Sequence, residues 1–467
     1  VDIIIEDVSQ YYVDRNNPNS EHFKPATSTN GETKNATCGP TGSVTYPTPN
    51  NWELGSMGGF YTYAEMLAEL DQMAALYPNL ITVKAPISTF LTTEGRPIYF
   101  VKISDNPNVA EAEPQVLYDA IHHAREPVSM QQLIFYMWYL LENYATDIEV
   151  QNIVNNSELF FVPVLNPDGY VYNETTDPNG GGMWRKNRRN NGGGNFGVDN
   201  NRNYDYAWNT TGVSSNPGND TYPGTAAFSE VENQAMKWFC ENHNFKIAMN
   251  NHSYDNSLLY PFGYATAMLT PDNAYIEAAT AEKVKNNGLG MVNKLSSALY
   301  PASGDSDDWM YDGDLATKPK IFAYTPEIGN DSHGFWPASA DIETVCESMV
   351  YTNLTTAKLV LNYATLADAS PLFINQQNDY FKYNVQRLGL DNPGDFTVSI
   401  NPISSNILTV GSPNNHLGMN MMEVQLDSIS YTLDPAITFG DIVTYEIVVN
   451  NGLYDEKITV SKTYGTA

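Results

Sequence analysis

The stretch Ile121–Met130, I-H-H-A-R-E-P-V-S-M, constrains this chain more than any other. Upstream, Pro114–Ile121 is apolar enough for a buried strand, and downstream Gln131–Tyr144 carries the apolar spacing of a helix. A His-x-x-Glu pair, His123 and Glu126, therefore falls where a strand hands over to a helix. That is the mouth of an α/β sheet, where such folds bind ligands. An imidazole and a carboxylate at this spacing can aim at one point and take two of the four positions around a zinc ion. Alone, the pair is a common surface coincidence, so its weight depends on what else the chain supplies.

A zinc hydrolase needs a third protein ligand, a free fourth position and a base beside the reacting water. His252 follows an apolar run, Phe245–Asn250, and can supply the third ligand. Glu327 directly follows the apolar run Ile321–Tyr324 and is placed to be the base. Taken singly, His252 reads as a loop histidine and Glu327 as a surface cap. Ahead of both lies a Gly/Asn/Arg-rich region, Gly180–Asn203, with Arg185, Lys186, Arg188, Arg189 and Arg202. A basic cluster in so acidic a chain points to an anion rather than to a solvated loop.

These residues fall inside separated motifs: H-A-R-E (123–126), M-W-R-K-N-R (183–188), V-D-N-N-R-N-Y (198–204), H-S-Y with L-Y-P-F-G-Y (252–264), Y-P-A-S-G-D-S-D-D-W (300–309) and T-P-E (325–327). In that order they resemble the zinc metallocarboxypeptidases of the carboxypeptidase A/B type, over residues 58–367. The resemblance implies an α/β fold, a mixed twisted sheet with helices on both faces. It implies His123, Glu126 and His252 as ligands of one catalytic zinc, with Asp199 behind His123 holding its tautomer. Glu327 is then the base, and Arg188 the partner of the developing oxyanion. Asn201, Arg202 and Tyr300 are expected to clamp the free carboxylate of the substrate, with Arg125 and Tyr254 one subsite further out. His122 has no acid three residues on and is left as a neighbour.

The same resemblance speaks to specificity. In the family, the residue before the Asp-Trp pair sits at the bottom of the pocket for the terminal side chain. Here it is Asp307, with Asp305 on the same loop, so C-terminal Lys or Arg is the expected substrate and mixed specificity the alternative. A peptidoglycan-trimming amidohydrolase is disfavoured by the carboxylate clamp. A different class, a surface adhesin acting through the β domain below, would release no amino acids.

Four segments are expected. Residues 1–12 read as a strand and helix start and resemble the end of a pro-segment. Residues 13–57, rich in Asn, Thr, Ser, Pro and Gly, read as a linker open to trypsin at Arg15, Lys24 and Lys34. Residues 58–371 form the catalytic domain, with long helices expected at 272–299 and 341–367. Residues 372–467 lose the helical pattern and read as an all-β sandwich, with Asn450-Asn-Gly452 a hairpin signal. The sandwich resembles modules that follow the peptidase in secreted or surface-attached bacterial members, which makes a secreted zymogen the expectation.

Charge narrows the partners. With 24 Lys+Arg against 54 Asp+Glu the net charge is −30, which argues against nucleic acid and anionic membranes and favours cationic ligands. It is equally a solubility device in a salty medium. No apolar run has membrane-spanning length. The first residue is Val, which reads as a processed chain. Peptides with free C-termini are the expected partners of a monomer, and the many acidic loops also allow calcium. Three cysteines, Cys38, Cys240 and Cys346, are too few for a disulfide framework.

Overall fold

The computed structural model describes residues 7–24 and 45–466, in two compact units, Val1–Ala357 and Lys358–Ala467. The first is built on eight strands: β1 Ala85–Leu91, β2 Pro97–Ile103, β3 Gln115–Ala120, β4 Glu158–Val162, β5 Phe245–Asn251, β6 Ser257–Tyr260, β7 Val292–Leu295 and β8 Phe322–Glu327. They lie in the order β1-β2-β4-β3-β5-β8-β6-β7. The centre, β4-β3-β5-β8, is parallel, and the pairs β1/β2, β2/β4 and β8/β6 are antiparallel. The sheet is thus mixed, as expected.

Parallel central strands are covered on both faces, so they read as continuous apolar runs. In β3 five of six residues are buried, and all of β4 is. Along the chain two helices, α1 Val8–Asp14 and α2 Tyr63–Leu76, come before β1; where β3 ends, the chain turns into α3, Pro127–Asn143, with Pro127 in the first helical turn. Proline fits there because the first amides of a helix have no partner anyway. Every residue of α3 from Pro127 to Leu141 is buried, so this helix is a central piece of the core.

Three expectations change at the level of elements. The segment 272–299 is not one helix. It divides into a helix, Asn273–Val284, then β7, then a short 3₁₀ turn, Ser296–Ala298. The break falls at Lys285-Asn-Asn-Gly-Leu-Gly290, where Gly290 adopts φ +67°, outside helical geometry. The last helix likewise ends early. Ser339–Ser348 and Val350–Leu359 are helical, but Ala364–Asp368 is a strand paired antiparallel to Asn378–Arg387. Strand pairing overrides the helix propensity of A-T-L-A-D. The second unit therefore starts at Lys358 rather than at 372.

The third change concerns the linker. The expected strand within residues 1–6, and Lys34, lie outside the described residues. The described parts are tied down. Val8–Asp14 is a helix, α1, capped by Asp7, and Arg15 behind it is only 1% exposed. The backbone and side-chain amides of Asn50 and Asn51 donate to the Glu142 carboxylate, and Trp52 packs edge-on against Phe135. Polar composition here reflects hydrogen bonding to the domain, not freedom from it.

The second unit is a sandwich of a four-stranded and a five-stranded sheet. Its core alternates along the strands, with Phe381, Tyr383 and Val385 beside Ile429, Tyr431 and Leu433 in the four-stranded sheet, and Val443, Tyr445 and Ile447 coming from the five-stranded one. Phe381 stacks between Tyr431 and Tyr445 at 4.2 and 3.7 Å.

Candidate active site

Three parallel strands bring the site together at their C-terminal ends. β3 delivers His122 and His123, β5 delivers His252, and β8 ends on Glu327. The last two are locked side by side: His252 N–H donates to the Pro326 carbonyl (2.9 Å) and Ile328 N–H to the His252 carbonyl (3.0 Å).

His123, Glu126 and His252 are all buried, and their ligand atoms lie within 4.8 Å of one another. His123 Nδ1 is 2.9 Å from Glu126 Oε1, and His252 Nδ1 is 2.9 Å from Glu126 Oε2. The two Nδ1 atoms are 3.0 Å apart. Two imidazole nitrogens pointing at each other cannot both carry a proton, so this donor set suits a cation between them. The outer nitrogen of His123 supports that. Its Nε2 is 3.0 Å from Asp199 Oδ1, which holds the proton there and turns the Nδ1 lone pair inward. Burial lowers His252 to about 3, a neutral imidazole at ordinary pH. Burial opposes the Glu126 charge, yet the two histidines hold its carboxylate below the usual range. Two imidazoles and one carboxylate, all buried, match a catalytic zinc with its fourth position open.

The cleft over this triad encloses ≈ 720 Å³ of space and is also walled by Arg125, Arg185, Tyr254, Tyr300, Glu327 and Phe335. Burial, and then the Glu126 charge, raise Glu327 to about 8, with Arg185 acting the other way. A cation held by the triad would draw it down again.

Arg188 is not in this cleft. Its guanidinium lies over the rings of Tyr172 (3.7 Å), Trp184 (4.5 Å) and Phe196 (4.9 Å). Arg185, three residues earlier, is the one that enters. Its Nε and one amine donate to Asp199 Oδ2 at 3.0 and 2.8 Å, and it is 3.9 Å from Glu126. Asp199 thus spans His123 on one oxygen and Arg185 on the other. Burial opposes its charge, but Arg185 and then His123 hold the carboxylate well below its usual range. The motif W-R-K-N-R offered two arginines, and its sequence contains no periodicity that would choose between them.

A smaller pocket, ≈ 370 Å³, opens from the same cleft and shares Leu299, Tyr300 and Glu327 with it. Asn201, Arg202, Asp305 and Asp307 line it. Asp199 also caps the 3₁₀ turn Asn200–Arg202, accepting from Asn201 N–H, and this turn fixes the next two side chains. Asn201 Oδ1 accepts from Ser306 N–H (2.9 Å), and Arg202 donates to the Gly212 and Asn201 carbonyls. Tyr300 is half exposed, its ring 5.8 Å from the Arg202 guanidinium.

Asp305 and Asp307 are buried. Asp307 Oδ1 accepts from Asn250 at 2.6 Å, and Asp305 Oδ1 caps the helix Ser306–Asp312 through Asp308 N–H. Asp305 Oδ2 is buried with no partner among the described residues. Burial raises both carboxyls, and each Asp307 charge is further opposed by Asp305. Sequence reasoning missed Lys283, fully buried with its ammonium 3.6 Å from the Tyr324 ring centre and within range of the Asp307 charge.

Arg125 and Tyr254 meet on the far wall. The Arg125 guanidinium covers Phe335 at 4.5 Å and donates to Asp220, while Tyr254 packs edge-on against the same ring at 4.9 Å. His122 points away from the triad, to Tyr204 (2.9 Å) and Asp119 (3.2 Å). A second acidic group, Asp105, Glu111 and Glu113, is close enough in space for a cation, but nothing further in it points to calcium.

Comparison with known proteins bears on this geometry. The profile of the family described as "Zinc carboxypeptidase" matches residues 66–352. Carboxypeptidase B of Bos taurus is 33% identical over 322 residues, 65% of this chain and 68% of its own length. Carboxypeptidase A2 of Mus musculus is 34% identical over 263 residues, 55% of this chain and 60% of its own length. Among solved structures, thrombin activatable fibrinolysis inhibitor superposes with a TM-score of 0.58 at 26% identity, covering 65% of this chain and 74% of its own. The carboxypeptidase A of Helicoverpa armigera gives 0.56 at 26% identity, with the same coverage. Relatives of both the A and the B kind appear, so they do not divide specificity.

Proposed function

This chain belongs to the zinc carboxypeptidase family, and we propose that it is a zinc-dependent exopeptidase that releases C-terminal Lys and Arg from peptides. The observation that carries the reading is the continuity of two spaces. The cleft over His123 and Glu126 adjoins a smaller pocket whose lining holds Arg202 and the carboxyls of Asp305 and Asp307. A small pocket lined by a cation beside the reacting centre suits a chain terminus better than a passing chain.

In this reading His123 Nδ1, Glu126 and His252 Nδ1 hold the zinc. When bound, zinc supplies Lewis acidity and makes water nucleophilic near neutral pH. Glu327 takes the proton of the attacking water and returns it to the leaving amine. Arg185, fixed by Asp199, donates to the oxygen that gains charge as the carbonyl is attacked, the role expected of Arg188 from the sequence. Asn201, Arg202 and Tyr300 receive the terminal carboxylate. Arg202 has two groups engaged by backbone carbonyls, which leaves its remaining amine for a charge-assisted bond. Asp305 and Asp307 receive the substrate's cationic side chain. Two carboxyls driven toward neutrality by burial, Asp307 by the Asp305 charge as well, are charged at least cost when a cation lies between them.

The test is release of free amino acid from blocked dipeptides ending in Lys, Arg, Leu or Phe, with chelator and after zinc is returned. Chelator-sensitive release, fastest for Lys and Arg, is expected. Faster release of Phe would refute the preference, and release unaffected by chelator would refute the metal.

A further inference from the structure

The loop that carries Phe335 into the cleft is held from behind by the N-terminal segment. Arg15, 1% exposed, donates to three carbonyls of that loop: His333 (2.6 Å), Ser332 (2.7 Å) and Trp336 (3.3 Å). Lys24 adds a bond to the Ser332 carbonyl at 3.0 Å. The Tyr12 hydroxyl oxygen accepts from the Phe335 N–H at 3.1 Å. It lies so close to Gly334 that a Cβ there would sit 2.2 Å away, so glycine is what lets the Tyr12 ring reach the loop backbone. Asn16 Oδ1 accepts from both the N–H and the hydroxyl of Ser339, at the start of the following helix. The loop therefore gives most of its outward carbonyls to one buried guanidinium, whose planar fork suits several acceptors at once.

The front of the same loop is Phe335, sandwiched between Arg125 and Tyr254 in the cleft wall. These three residues line the cleft but not the smaller pocket. If the terminal residue occupies that pocket, as in the function proposed above, the residues before the scissile bond run along Phe335. We propose that residues 7–24 are a positioning brace, with Arg15 and Tyr12 holding the Ser332–Trp336 loop so that Phe335 forms the subsite for the residues preceding the scissile bond. Arg15 and Tyr12 touch no substrate and act through the loop.

Two readouts in the full chain test this. The first is amide exchange of residues 330–336 in Tyr12→Phe and Arg15→Met, measured by mass spectrometry without substrate. The second is kcat and KM for a blocked dipeptide and a blocked tetrapeptide with the same terminal residue. Faster exchange confined to this loop is expected, with KM for the tetrapeptide raised on the order of tenfold, kcat unchanged and the dipeptide within about twofold. Phe335→Ala should reproduce the kinetic pattern without disturbing the exchange of residues 12–16. Unchanged loop exchange in both variants, or equal effects on the two substrate lengths, overturns the brace. Dipeptide turnover, which places only one residue before the scissile bond, reports on the proposed activity separately.

Discussion

In the proposed reaction Glu327 is the cleft carboxylate left to act as base, since Glu126 is committed to His123 and His252 and Asp255 to Lys294 and Ser257. Glu327→Gln keeps the shape and leaves the three ligands untouched. It should retain zinc by elemental analysis while turnover falls to below about a tenth, with ~10²–10⁴-fold the ordinary worth of a positioned base. The two arginines of W-R-K-N-R make a sharper comparison. Arg185→Met should reduce kcat by ~10²–10³-fold with little change in KM, as removal of an oxyanion donor does. Arg188→Met, which only empties an aromatic cage, should leave kcat within a few-fold. The reverse order would return the oxyanion role to Arg188. At the pocket end, Asp307→Ile should shift the ratio of kcat/KM from Lys and Arg toward Phe or Leu by roughly two to four powers of ten, on the order of 3–5 kcal/mol. An unchanged ratio would remove Asp307 from the specificity argument while leaving the metal chemistry intact.

At the scale of elements, the legible parts were those whose neighbours all ask for the same structure. The β3–α3 unit was readable because an apolar run, a proline in the first helical turn and a helical apolar spacing agree. The segments 272–299 and 341–367 were misread because their local composition favours helix while their pairing partners lie elsewhere in the chain. The N-terminal segment shows the same blindness for polar sequence. Arg15 sits in an unpatterned stretch, yet its partners are the carbonyls of residues more than three hundred positions away. It follows that Arg15 is a poor trypsin site. Limited digestion of the folded chain, followed by mass analysis, should yield no fragment ending at Arg15 before the peptidase unit unfolds. Early cleavage there would mean that the segment does not stay on the domain.

At the scale of the molecule, metal and stability are linked through one unit only. The triad lies wholly within the first unit, and the sandwich has its own apolar core. A ligand that binds only the folded state adds about 2.7 kcal/mol when present at a hundredfold its Kd. Chelation should therefore abolish turnover and lower the unfolding temperature of the peptidase unit. Amide exchange within residues 358–466 should not change. Restoring zinc should recover both activity and temperature.

Sequence alone determined the strand–helix handover and named in advance the residues the fold gathers around one cleft and its pocket: His123, Glu126, His252, Glu327, Asp305 and Asp307. Each of these sits at the end of an apolar run or inside a motif whose order along the chain is itself informative. Tertiary structure decided what short loops do. Arg185 and Arg188 stand three residues apart in one short motif, and in irregular backbone no period assigns them a face. Arg185 enters the cleft because Asp199, brought there by its own turn, binds it with two hydrogen bonds. Arg188 stays out because Tyr172, Trp184 and Phe196 close around it. A charge goes where its partners are, and partners from three separate segments meet only after the chain has folded.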